Sequence, residues 1–143
     1  MSTILVDVLK AQHLEIRGVV ASADPLLDSS PDDQEAMDTL REVMNQLAIL
    51  AASHFFQEEL LLHSQLLNHP DPKVRESVTT TIQETTAIGE EVEGCLRDWN
   101  TIRTSPEENA AILQRIRAAL QALDQRINVE ENHLFPKLMD LEP

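Results

Sequence analysis

Histidine and glutamate recur in this chain at a spacing suited to metal chemistry. In "SHFFQEELLLH", residues 53–63, His54 and Glu58 stand four apart inside a strongly apolar segment. On an α-helix they share one face, one turn above the other. Arg126 and Glu130 repeat that spacing in "RINVEENHLFP". Aligned on their paired glutamates, the two segments form a faint repeat with Arg126 at the position of His54. His13 lies between Leu9 and Ile16 and shares their apolar face. A helix that only had to pack would carry leucine at such places. Neutral imidazole nitrogen and carboxylate oxygen form a good ligand mixture for iron, zinc or manganese. Arginine stays protonated and has no lone pair to give. Arg126 is therefore a partner for Glu58 and Glu130, either beside a metal or in a metal-free ion network.

These residues need helices to position them. With 3 Gly among 143 residues and abundant Leu, Ala, Glu and Gln, the chain favours helix. The apolar periodicity predicts a first helix over roughly 3–22, with Ile4, Leu5, Val8, Leu9, Ile16, Val19 and Val20 on its inner face. The "SADPLLDSSPDD" segment ends it. A second helix starts at Ser30-Pro31 and runs to about Leu67, before "NHPDP". A third begins near Asp71-Pro72 and continues to about Thr104. The fourth opens with "SPEE", where Ser105 caps, Pro106 starts the helix and Glu108 completes a capping box. It runs toward Leu138, with Pro136 disturbing its last turn. The expected fold is all-α, an up-down-up-down four-helix bundle spanning residues 1–143 as one domain.

Composition restricts the partners. The formal net charge of −14 argues against nucleic acid or an anionic membrane surface. No apolar run is long enough for a membrane span. The N-terminus lacks the pattern of a secretory signal, so a cytoplasmic location is expected. Cys95, the single cysteine, has no partner for an internal disulfide.

At "LKAQHLEI" around His13, "HFFQEELLL" at 54–62 and "RINVEENHLFP" at 126–136, the sequence resembles the hemerythrin-like family of HHE cation-binding domains. The resemblance spans nearly the whole chain. It implies a four-helix bundle around two irons bridged by two carboxylates. Carried over by position, His13 and His54 would serve one iron and Glu58 and Glu130 would be the bridges. The third-helix and fourth-helix histidines of the pattern fall on Thr85 and Arg126, and neither is a plausible ligand. The resemblance thus implies one retained metal, iron first with manganese or zinc as alternatives, held by His13, His54, Glu58 and Glu130. Arg126 would supply positive charge where a second ion sits in the family. Activities associated with the family are oxygen binding, iron or redox sensing, and peroxide or nitric-oxide chemistry.

Three functional readings stand side by side at this level. The first is a non-heme, mononuclear metal protein acting in oxygen or redox chemistry or sensing, with dioxygen or another small molecule as partner. The second is a metal-free enzyme in the same cavity, with His54 or His13 as base and Arg126 stabilising an oxyanion or anion. The third is a non-catalytic sensor or interaction module. Among other residues, His133 follows Glu130 by three and is a weaker ligand candidate, and Glu84 could turn inward beside Thr85. His63, nine residues from His54, falls half a turn off its face and reads as a surface or loop-end residue. His69 reads as a turn residue. Phe55, Phe56, Trp99 and Phe135 read as core, and Cys95 as a buried apolar residue.

Overall fold

The computed structural model describes residues 2–101 and 105–141. Its helices are α1 (Ser2–Leu27), α2 (Gln34–Gln57), α3 (Ser64–Leu67), α4 (Pro72–Thr101), α5 (Pro106–Val129) and α6 (Phe135–Met139). A π-helical segment, Glu58–His63, joins α2 to α3 without a break, and a second, Glu130–Leu134, joins α5 to α6. The result is four rods packed in antiparallel pairs, the hemerythrin-like bundle expected from the pattern. No described helix is long and apolar enough to cross a membrane.

Local chemistry sets the rod ends. Ser105 accepts from the Glu108 N–H while the Glu108 carboxylate accepts from the Ser105 N–H, the expected capping box. The second rod starts later than Ser30-Pro31. Asp33 N–H closes a turn onto Ser30 O, and the Asp33 carboxylate then caps the Ala36 N–H. Asn109 Nδ2 donates to Pro31 O and ties this loop to α5. The first rod runs past its expected end at 22 and through Pro25 to Leu27. One backbone hydrogen bond is lost at proline, and burial of Ala23 and Leu27 on either side offsets it. The expected end of the third helix near Thr104, and the side chain of Trp99, lie outside the described residues.

The core falls into two apolar clusters. One gathers Ile16, Leu40, Met44, Leu47, Ile116 and Leu123. The other gathers Leu9, Leu62, Leu66, Val78, Leu134 and Phe135. Each rod passes from one cluster to the other through a buried polar residue: His13, His54 and Glu58, Thr85, and Arg126 with Glu130. The polar layer is therefore sealed above and below. Ile4 and Val8, expected on the inner face of α1, are instead exposed, and Val6 takes the buried position. Phe56 is also exposed, at 61%, whereas Phe55 and Phe135 are core as expected.

Candidate metal centre

His13, His54, Glu58 and Glu130 meet at the centre of the bundle, all of them buried. One ligand atom from each lies within 4.8 Å of all the others. The two imidazoles face each other edge-on, with Nε2 atoms 2.9 Å apart and ring planes at 63°. Glu130 Oε1 stands 3.0 Å from His13 Nε2, and Glu58 Oε1 stands 2.8 Å from His54 Nε2. Phe135 stacks on the His13 ring with centroids 5.4 Å apart and planes 13° from parallel.

The outer nitrogens of both rings fix the tautomers. His13 Nδ1 donates to Glu131 Oε2 at 2.8 Å, and His54 Nδ1 donates to Gln12 Oε1 at 2.7 Å. A carboxylate and an amide oxygen only accept, so both Nδ1 atoms carry hydrogen. Gln12 is oriented in turn, because its Nε2 donates to Gln57 Oε1 at 2.9 Å. Arg17 Nη1 supports Glu131 from 3.7 Å. In the neutral rings both Nε2 lone pairs then point into a space already lined by two carboxylate oxygens. A single proton relieves one pair of these acceptors, whereas one cation serves all four. The donor set fits a metal ion, with the outer hydrogen bonds that metal-bound histidines usually have.

Arg126 flanks this cluster. Its Nε donates to Glu130 Oε2 at 3.2 Å and its Nη2 to Glu58 Oε1 at 3.4 Å. Nη1 donates to the Thr85 carbonyl at 2.8 Å, and the guanidinium lies 3.8 Å over the Phe55 ring. Thr85 is buried but directs its hydroxyl to Ile82 O, away from the acids. Burial, followed by the charge of Glu130, pushes the Glu58 carboxyl well above the ordinary range. Burial alone would also raise Glu130. Hydrogen bonds accepted from Glu58, and from His13 and His54 when their Nε2 atoms carry a proton, together with the charge of Arg126, hold it well below that range instead. Glu58 Oε2 is buried with no hydrogen-bond partner among the described residues.

The two π segments begin at the glutamates themselves. The Glu58 N–H is shared between His54 O and Phe55 O, and the Glu130 N–H between Arg126 O and Ile127 O. Each i→i+5 segment adds a residue to its turn, which rotates the rest of the rod by about 100°. This corrects the reading of His63. On an uninterrupted α-helix it would face outward, but the added residue turns it inward and it is 7% exposed. Burial, then the charge of Arg126, lowers its pKa.

The remaining candidates lie elsewhere. His133 and Glu84 are exposed and outside the cluster. His69 sits in the loop before α4, where its Nδ1 accepts the Asp71 N–H. Cys95 is buried, and burial raises its thiol pKa. Sequence reading missed Gln12, Glu131 and Gly89. The first two stand beside ligands, and their types as hydrogen-bond acceptors were the available signal. Gly89, four residues after Thr85, packs directly under the guanidinium of Arg126. A glycine in mid-helix was its signal.

Buried imidazole and carboxylate atoms converging at the centre of an all-helical bundle make a four-helix protein with a cluster that could hold a metal ion. The chain belongs to the hemerythrin HHE cation-binding domain family, whose model matches residues 4–138. No curated protein and no solved structure matches it significantly.

Proposed function

We propose that this protein binds one metal ion, iron foremost, through His13, His54, Glu58 and Glu130, and acts in oxygen or redox chemistry or in sensing. The observation that carries this reading is the approach of the two Nε2 atoms to 2.9 Å while both Nδ1 atoms are committed as donors. That arrangement brings lone pairs together and calls for a cation between them. Two histidines and a carboxylate, here His13, His54 and Glu58, form a recognised set for non-heme iron, with Glu130 a fourth group. When bound, the metal supplies a redox or Lewis-acid centre.

The chain's own residues set the conditions around it. Glu131 and Gln12 hold the two imidazoles in their tautomers and in place. Leu62, Leu134 and Phe135 exclude water from one side. Arg126 provides a fixed positive charge for the outer oxygens of the acids, where a second ion would otherwise balance them. A single fixed charge in that place supports one ion per chain rather than two, and disfavours the two-electron oxygen carriage of a di-iron centre.

The metal-free enzyme reading draws on the same Arg126 network, which already pairs both acids. The hydrogen bonds of Arg126 to Glu130, Thr85 and Glu58, and its stacking on Phe55, weigh against its holding a substrate anion. Elemental analysis of protein purified without chelator is the test. One metal ion per chain, lost on His54→Ala substitution, supports the proposal; protein that stays metal-free after incubation with ferrous iron, manganese and zinc defeats it.

A further inference from the structure

The longest stretch of the sequence without Asp, Glu, Lys or Arg runs from Val43 to Gln57, on the second rod. Its outward side is therefore uncharged, in a chain of net charge −14. The other long rods turn acids to solvent, such as Asp7 and Glu15 on α1, Glu84 and Glu90 on α4, and Glu107 and Asp124 on α5. Asn45, Ile49, Ala52, Phe56 and Leu60 follow one another down the uncharged side, all exposed. Ile49 is 73% exposed, Phe56 61% and Leu60 55%. Single exposed apolar side chains are ordinary, but a line of them marks a contact surface.

The steps along this line are four, three, four and four residues, the spacing of a helix-pairing seam. The last step enters the π segment that starts at Glu58, whose wider turn keeps Leu60 on the line of Phe56. Ile49 and Phe56 stand evenly on either side of the small pair Ala52 and Ser53. A two-fold axis through that pair sets Ile49 of one copy beside Phe56 of the other, and the small residues let the rods approach. Glu59 then lies level with Gln46 of the other copy, and Glu42 level with His63, so no acid meets an acid. The seam is about 22 Å long. Closing it on itself buries about 1,000 Å² over both copies, which reaches the lower bound of a specific interface. The acids around the seam repel nucleic acid and anionic membranes. A basic partner would need acids to bind, and the seam has none.

We propose that this face pairs with its counterpart on a second copy of the chain, forming an antiparallel two-fold dimer of micromolar affinity. The pairing is independent of the metal reading, since no seam residue is a proposed ligand.

Sedimentation velocity on the full chain, from about 5 to about 500 µM, tests it. A reversible monomer–dimer equilibrium is expected. Phe56→Glu and Ile49→Lys should each weaken the dimer at least about tenfold. Helix content should not change, because both side chains are exposed. Oxidation should cross-link the Ala52→Cys variant, whose new thiols lie near the axis. It should not cross-link Leu60→Cys, where the two positions are about 22 Å apart along the rods. Cys95 is buried and does not compete. A chain that stays monomeric over the whole range leaves the face to some other partner and overturns the proposal. So does a dimer that both charged variants leave intact, or cross-linking of Leu60→Cys in place of Ala52→Cys.

Discussion

The guanidinium of Arg126 fills the space that any side chain at Gly89 would need. A Cβ placed on Gly89 would collide with Arg126 Nη1. The bare backbone at Gly89 on α4 and the fixed cation of Arg126 on α5 are thus complementary, and the space beside Thr85 holds a salt bridge.

This pairing sets the sign of a mutation. Gly89→Ala in an exposed helix would gain about 1 kcal/mol from helix propensity. Here it should destabilise by about 1–3 kcal/mol, because the arginine is displaced from its acids. In an Arg126→Ala background the same change should become neutral or stabilising. Urea melts of the four proteins in the cycle measure the coupling; additive effects would show that the two residues do not compete for space.

Removing the arginine strands the acids. Arg126→Ala should cost the metal-free protein about 3–5 kcal/mol, since the guanidinium and both carboxylates are buried. Metal should restore part of that loss by mass action. Thr85→His combined with Arg126→His places imidazoles on the Arg126 side of the cluster, and under the proposal metal content should rise from one ion per chain toward two. Mass spectrometry under native conditions counts the ions, and a double variant still saturating at one ion would contradict the assignment of Arg126 as the charge replacing the second.

The outer hydrogen bonds should matter to affinity. Glu131→Ala frees His13 Nδ1 and lets the ring turn or change tautomer. Metal affinity should fall about 10–100-fold with the fold intact. Competition against a chromophoric chelator measures it, and Gln12→Leu provides the matching test on His54. Unchanged affinity in both variants would mean that neither tautomer is held for a metal.

The buried acids predict opposite pH limbs in metal-free protein. Glu58 is raised, so its contribution to stability is full below its unfolded value of about 4.3 and is lost as pH rises through its folded value. Glu130 is lowered, so its contribution is present above about 4.3 and is lost as pH falls through its folded value. Glu58→Gln removes the first limb, and because Glu58 helps to hold Glu130 low it also alters the second, below about pH 4.3. From about pH 4.3 upward the stability difference should therefore shift steadily in favour of the Gln variant. Urea melts at several pH values read this directly, and parallel curves for the two proteins would refute it. Metal uptake should release a proton from Glu58 and strengthen with pH.

Much of this was legible in the residues. Helix composition, proline and serine punctuation and the capping box at Ser105 place the rods, because these signals act within a turn or two of chain. The i,i+4 pairs at 54 and 58 and at 126 and 130 mark an inward face, since a polar pair inside an apolar stripe is costly without a purpose. His13 followed from its neighbours Leu9 and Ile16 by the same rule.

The tertiary structure alone decided the rest. No spacing rule links Gln12 to His54 or Glu131 to His13, because these hydrogen bonds cross between rods and depend on how the rods dock. The burial of His63 hangs on the π segment after His54, a backbone adjustment of one residue that side-chain periodicity does not encode. The exchange between Gly89 and Arg126 is equally a matter of contact between helices far apart in sequence. Local patterns marked the inward positions of His13, His54, Glu58, Arg126 and Glu130; only packing determined which atoms meet there, since a distance of about 3 Å is set by the whole bundle and not by any one helix.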